Sequence, residues 1–242
     1  MIVGDGMLAR AFAGSRASES WTIFASGVSN SRETARLAFD REEQLLLRYL
    51  TRAAPLVYFS SCGLVEGDTS NSPYMEHKRH MESVVLAKPG ARVFRLPQVV
   101  GHTSNPHTLL NFLRDRILAG ERFDVWRDAE RNLIDIDDVV QIATRILQDD
   151  TVPERVVSIA AEQSVPMPGI VACLEQMLGR KALAEVRPLG APMPVDTAIC
   201  RRIATEMGLD LGAGYLEKVL RKYCLPVQSI MASGLDAQGF HT

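Results

Sequence analysis

Short apolar runs and longer amphipathic stretches alternate along this chain from its first residues. Ile2 and Val3 start a strand, Gly4 to Phe12 (GDGMLARAF) reads as a glycine turn entering a helix, and Trp21 to Gly27 (WTIFASG) is the next strand with its exit loop. Residues 32–51 are charged and amphipathic, with Leu37, Leu45, Leu46 and Leu50 on or near one stripe, which predicts a helix. Strands are predicted at about 55–60 and 91–96, on either side of a helix that carries Tyr74 and Lys78. Strand, helix and strand in this order argue for parallel units, since a parallel partner needs a crossover long enough to hold a helix. Further on come a helix at 107–119, a short strand at Phe123 to Trp126 and the segment RNLIDIDDVVQIATRIL from Arg131 to Leu147. A strand at 155–160 and helices near 168–179, 196–207 and 213–223 follow. The expected fold class is α/β, a parallel sheet flanked by helices with a small C-terminal helical lobe.

Composition narrows the function classes. A chain of 242 residues, 46% hydrophobic and 23% charged, can bury a full core and suits one α/β domain with or without a small lobe. The net charge of −2 and the lack of any Lys/Arg run offer no phosphate-tracking surface, so nucleic acid is not an expected partner. Cys62, Cys173, Cys200 and Cys224 show no metal-ligand spacing and read as reduced thiols in a cytoplasmic protein without a metal site. The N-terminus lacks a charged segment followed by an apolar core, and no apolar run nears about 18 residues, so neither secretion nor membrane spanning is expected.

Candidate chemistry concentrates between Ser60 and His80 (SSCGLVEGDTSNSPYMEHKRH). Tyr74 and Lys78 lie one helical turn apart and share a face, so the ammonium is expected to favour the phenolate and lower the Tyr74 pKa from its ordinary value of about 10. Ser61, at the end of the preceding strand, can donate to an oxygen that gains negative charge, and Cys62 is the neighbouring candidate for that position. A thiol is the poorer donor, which favours Ser61. His77 and His80 read as surface or packing residues, and Asp137 and Asp138 as caps of the helix that follows them. Gly4-Asp5-Gly6-Met7-Leu8-Ala9 fits G-x-G-x-x-A, a turn that lets a backbone approach a pyrophosphate at a helix N-terminus.

Ser61, Tyr74 and Lys78, set between two apolar strands and followed by RLPQVVG, resemble the Ser, Tyr-x-x-x-Lys set of the short-chain dehydrogenase/reductase superfamily. Within it the chain is similar to the extended branch of sugar-nucleotide epimerases, dehydratases and reductases, and the resemblance reaches to about residue 225. It implies a Rossmann-like domain over 1–165, with about 102–132 contributing to a substrate lobe, a lobe proper over 166–230 and a tail over 231–242. It also implies NAD or NADP as cofactor, held by Gly4, Asp5, Gly6, Met7, Leu8, Ala25, Ser26, Gly27, Tyr74, Lys78, Pro97 and Val99, with Gln98 beside the nicotinamide carboxamide. Tyr74 would be the general acid or base, Lys78 would hold the nicotinamide ribose, and Ser61 would polarise the substrate oxygen. Cys62 and Arg131 would face a nucleotide-linked sugar, Arg131 through its diphosphate. Reduction of a 4-keto sugar is favoured over dehydration, because no Asp-Glu pair follows the strand-end serines; epimerisation, or a non-catalytic dinucleotide-binding regulator, is the alternative. The family also implies a homodimer through helices near 32–51 and 74–88. Two departures stand out. Only a dozen or so residues separate the first helix from TIFASG, as if one strand-helix unit or more had been trimmed, and no Asp ends that strand to read a ribose. Arg10, Arg16 and Arg32 are the candidates for a 2′-phosphate, so NAD and NADP both stay open.

Overall fold

The computed structural model describes residues 1–64 and 72–224. The expected tail at 231–242 and the end of the lobe from 225 lie outside those residues.

The chain divides into two compact units, the first made of 1–101, 132–164 and 193–212. It opens with β1 (Ile2–Val3), α1 (Met7–Ala11), α2 (Ala17–Ser20) and β2 (Thr22–Phe24). Helix α3 (Arg36–Leu50), β3 (Leu56–Ser61), α4 (Pro73–Leu86), β4 (Arg92–Leu96) and β5 (Gln98–Val100) follow. The second unit holds 102–131, 165–192 and the described residues from Ala213 on. It contributes α5 (Leu109–Ala119), β6 (Arg122–Trp126) and β7 (Glu130–Arg131) before the chain returns to the first unit. There it forms β8 (Leu133–Asp135), α6 (Ile136–Leu147) and β9 (Val156–Ser158). The remaining elements are β10 (Val165–Pro166), α7 (Met167–Leu178) and β11 (Leu183–Arg187) in the second unit, α8 (Ala198–Glu206) in the first, and α9 (Tyr215–Cys224) in the second.

In the first unit five strands form one parallel sheet in the order β1-β2-β3-β4-β9, with Ile23 opposite Ile2 and Val57, and Val93 opposite Tyr58 and Val156. Every step adds a strand on the same side. A dinucleotide-binding sheet of the usual order reverses direction after its first strand, and that reversal builds the half that carries the adenosine. Here the 18 residues Gly4–Trp21 between β1 and β2 form only the short helices α1 and α2, and no described strand pairs with the far edge of β1.

Helices α3 and α4 cover one sheet face, because their apolar stripes meet the side chains that alternate strands present there. Leu46, Met81 and Val85 pack with Phe24, Tyr58 and Val93 in one fully buried cluster. The predicted stripe of the first of these helices needs correction at its start: Leu37, next to the first residue of α3, is 83% exposed, and Glu42 takes a buried place beside Leu46. Helices α1, α6 and α8 lie with the opposite face, where Phe12 rests on Phe59. Residues 193–212, expected in the lobe, belong instead to the first unit, where α8 packs against β9 and α6.

In the second unit β6 and β11 pair in parallel and β7 and β10 antiparallel, with α5, α7 and α9 packed together. Strand β11 is absent from the sequence reading because four of its five residues are exposed and no apolar alternation marks it.

Candidate active site

Ser72 starts α4 by accepting a hydrogen bond from the Met75 N–H at 3.2 Å, with Pro73 in the first helical position, where its missing N–H costs nothing. This start sets the phase of the helix. Tyr74, His77, Lys78, Met81, Glu82 and Val85 then fall on the buried face. The parallel register brings the end of β3 alongside, and the Ser61 hydroxyl is hydrogen-bonded to the Tyr74 phenol. Ser61 also accepts from the Gly63 N–H at 3.1 Å.

Lys78 is 2% exposed and donates to Glu42 Oε1 at 3.1 Å and to Tyr58 Oη at 2.7 Å. Its Nζ stands 5.8 Å from the centre of the Tyr74 ring. Ser61, Tyr74 and Lys78 are thus gathered in one place, but their electrostatics differ from expectation. The Tyr74 phenol is pushed up to about 12, by burial first and by the Glu42 charge second, against a smaller opposite effect of Ser61. An ammonium neutralised by its own carboxylate has little left with which to favour a phenolate, so the expected lowering of Tyr74 by Lys78 is corrected.

Glu42 is the part of the site that sequence reasoning missed. Its two oxygens take four donors: Tyr58 Oη at 2.6 Å and Lys78 on Oε1, and the Val28 N–H at 2.6 Å and His77 Nε2 at 3.0 Å on Oε2. Because an ionised carboxylate only accepts, His77 must present an Nε2–H. Burial alone would raise the Glu42 pKa; His77, Lys78, Tyr58 and Val28 together outweigh it and bring it down to about 2. The two helical histidines differ: His77 is buried and stacked on Phe39 at 4.5 Å, whereas His80 is exposed and bonded to Glu43. The one available signal was a Glu inside a leucine stripe.

Cys62 turns its thiol inward, 4% exposed and 3.2 Å from the Arg95 carbonyl, and burial pushes the thiol up to about 12. Ser61 rather than Cys62 stands beside Tyr74. Arg95 itself grips Glu82 through two bonds of 2.9 and 2.8 Å, tying β4 to α4. Beyond it Pro97 and Val99 are half-buried and Gln98 exposed, along β5, which pairs in parallel with β8. Asp135, not Asp137 or Asp138, caps α6, accepting from the Asp137 N–H at 3.0 Å; the other two occupy the first turn. Arg131 belongs to the second unit, on β7, where its guanidinium donates to the Glu130 carbonyl at 2.6 Å and burial lowers its pKa.

The glycine turn fits a phosphate-bearing ligand at one end only. Gly4 has φ +118, and a Cβ on it would lie 2.5 Å from the Ala25 carbonyl oxygen, so the close approach of the backbone just after β1 to that just after β2 demands glycine. A Cβ on Gly6 meets nothing within 4 Å, which leaves an open approach to the backbone before Met7 and Leu8. Asp5 is exposed, and its carbonyl accepts from Arg10 at 2.6 Å. Gly101 lets Met7 and Ile136 close in, since its Cβ would lie 2.8 and 2.9 Å from them. Ala25, Ser26 and the exposed Gly27 form the loop after β2, with Gly27 against Glu42 and Lys78. These residues suit the nicotinamide and pyrophosphate part of a dinucleotide. The adenosine part has no corresponding strands among the described residues. No group of three or more His, Cys, Asp or Glu suited to a metal occurs among them either, and no helix there is long and apolar enough to cross a membrane.

Comparison with known proteins agrees with the fold. Solved structures with the same fold include UDP-glucuronic acid 4-epimerase from Bacillus cereus in complex with UDP-glucuronic acid and NAD (TM-score 0.67, 15% identity, 93% of this chain and 79% of that one). Another is dTDP-glucose 4,6-dehydratase from Bacillus anthracis with NAD (TM-score 0.62, 16% identity, 86% and 73%). A third is RMD from Pseudomonas aeruginosa with NADPH (TM-score 0.58, 17% identity, 85% and 80%). No curated protein matches the chain. The model of the NAD dependent epimerase/dehydratase family matches residues 28–160, more than half of the 242. The chain therefore belongs to the NAD dependent epimerase/dehydratase family.

Proposed function

We propose that the protein is an NAD(P)-dependent oxidoreductase that reduces a keto carbon, most simply C4, of a nucleotide-linked sugar. The observation that carries this reading is the half-buried Ser61 beside the buried Tyr74, with Lys78 one turn away. A phenol held protonated by burial and a nearby carboxylate suits proton donation to a carbonyl oxygen, which is the reductive direction. Ser61 donates a second hydrogen bond to that oxygen as charge develops on it. Lys78 spends two of its three N–H groups on Glu42 and Tyr58, and the remaining one serves the nicotinamide ribose. Gly4, Gly6, Met7 and Leu8 supply backbone to the pyrophosphate, Ala25, Ser26 and Gly27 line the loop beneath it, and Pro97 and Val99 flank the nicotinamide. The bound dinucleotide supplies the hydride. Dehydration is disfavoured because Cys62 and Gly63, after Ser61, offer no acidic pair. Arg131 is assigned to the sugar diphosphate, Cys62 to the floor of the sugar site, and the working form to a homodimer in the cytoplasm. Epimerisation uses the same groups with the cofactor retained.

A second reading, a dinucleotide-binding regulator without turnover, is favoured by the one-directional strand order. Titration with NADH and NADPH followed by assay against nucleotide 4-keto sugars separates the two. Binding with turnover supports the oxidoreductase, binding without turnover supports the regulator, and failure of both nucleotides to bind at millimolar concentration rejects both.

A further inference from the structure

We propose that Glu42 is a positioning residue of this site: its carboxylate fixes the Lys78 ammonium one helical turn from Tyr74, and so controls how Lys78 meets the nicotinamide ribose. This rests on the function proposed above. Three observations carry it.

First, Glu42 breaks the pattern of its own helix. Its neighbours on the buried side of α3 are Leu45, Leu46, Tyr49 and Leu50, and an apolar residue would continue that packing without the cost of burying a charge. Second, the pair is closed through Tyr58. Lys78 donates to Tyr58, Tyr58 donates to Glu42, and Glu42 accepts from Lys78, so the ammonium is held from two sides with one N–H to spare. The Val28 N–H and His77 complete the shell of Glu42, which joins α3, α4, β3 and the loop after β2 at one point. Third, the pair borders that loop. A Cβ on Gly27 would lie 3.0 Å from both Glu42 Oε1 and Lys78 Nζ, and Gly27 itself is exposed. The ion pair thus borders the loop proposed to line the cofactor rather than the closed interior of the sheet.

The charged and titratable groups around the two are Tyr58, His77 and Tyr74, with Glu82 further off and engaged by Arg95. Burial favours the neutral amine of Lys78 and Glu42 opposes it, so removing the carboxylate leaves an amine that sheds its proton more readily.

The test uses the full chain with isotope-labelled lysine side chains. There are five lysines to resolve, Lys78, Lys88, Lys181, Lys218 and Lys222, and Lys78→Arg identifies the signal of interest. In Glu42→Gln the Lys78 titration is expected to fall by roughly one pH unit or more while the other four stay in place. NADH affinity is expected to drop about tenfold at alkaline pH and less at acid pH, where protonation of the amine is favoured. Glu42→Asp, which keeps the charge and withdraws it by one methylene, should restore most of both effects; should Glu42→Gln fail to fold, it reads the same coupling as a partial fall. An unchanged Lys78 titration overturns the proposal. A shifted titration with unchanged NADH affinity overturns it as well, because Glu42 is then a counter-ion of the core. Wild-type protein that binds neither NADH nor NADPH overturns the functional reading and this proposal with it, and an intact Lys78 response marks that failure as one of function.

Discussion

Glu42 Oε1 lies 3.1 Å from the Lys78 ammonium, with both side chains almost wholly withdrawn from water. That single distance reorders the chemistry of the site. The cation that a Tyr-x-x-x-Lys spacing offers to the phenol is already engaged, and Tyr74 feels the carboxylate more than the ammonium.

The phenol should therefore be hard to ionise. Absorbance difference between the wild-type protein and Tyr74→Phe, both without cofactor, is expected to show Tyr74 titrating near 12, provided the fold persists there. In stability terms the raised value favours the folded state fully below the ordinary phenol pKa of 10 and less as pH climbs through about 12. A Tyr74 titration at or below 10 contradicts the electrostatics described here.

Glu42 makes the opposite prediction at acid pH. Its folded pKa of about 2 is below its ordinary 4.5, so the unfolded chain binds the proton first as pH falls. The stabilisation is present above 4.5 and is lost as pH falls toward about 2. Urea midpoints across that window should fall more steeply for wild type than for Glu42→Gln, and equal slopes contradict this. Glu42→Ala, which strands Lys78 in the interior, is expected to cost about 3–5 kcal/mol.

The two glycines of the first turn should separate folding from binding. Gly4→Ala combines φ +118 with a Cβ 2.5 Å from the Ala25 oxygen, so it should destabilise the protein by about 1–3 kcal/mol or more. Gly6→Ala meets open space and should leave the melting temperature nearly unchanged while weakening NADH binding. Equal melting temperatures for the two variants contradict the geometry.

Among the described residues, the strand order β1-β2-β3-β4-β9 provides no strands for the adenosine end of a dinucleotide. Reduced nicotinamide mononucleotide should accordingly bind within about tenfold of NADH, and NADPH should match NADH. A preference of about a thousandfold for either full dinucleotide over the mononucleotide contradicts this.

Much of the architecture could be read from the chain because its strands are apolar and its helices periodic. Leu56 to Phe59, Val93 to Leu96 and the stripe of α4 announce themselves. The gap between Gly4 and Thr22 was also readable, as a distance too short for another strand and helix. What could not be read depends on side chains from separate elements meeting in space. Glu42 and Lys78 are 36 residues apart, and no pattern along either helix states that they pair. The pKa of Tyr74 followed the same rule, since its one-turn neighbour is less influential than a carboxylate from another helix. Strand β11 escaped because an exposed, charged strand has neither the alternation nor the apolar run that marks a buried one.

The central claim is that Tyr74 transfers a proton beside a bound nicotinamide, and the most direct test is Tyr74→Phe assayed with NADH and a nucleotide-linked 4-keto sugar. The account predicts turnover lower by about a hundredfold to ten-thousandfold with NADH affinity nearly unchanged. Turnover equal to that of the wild type would contradict it.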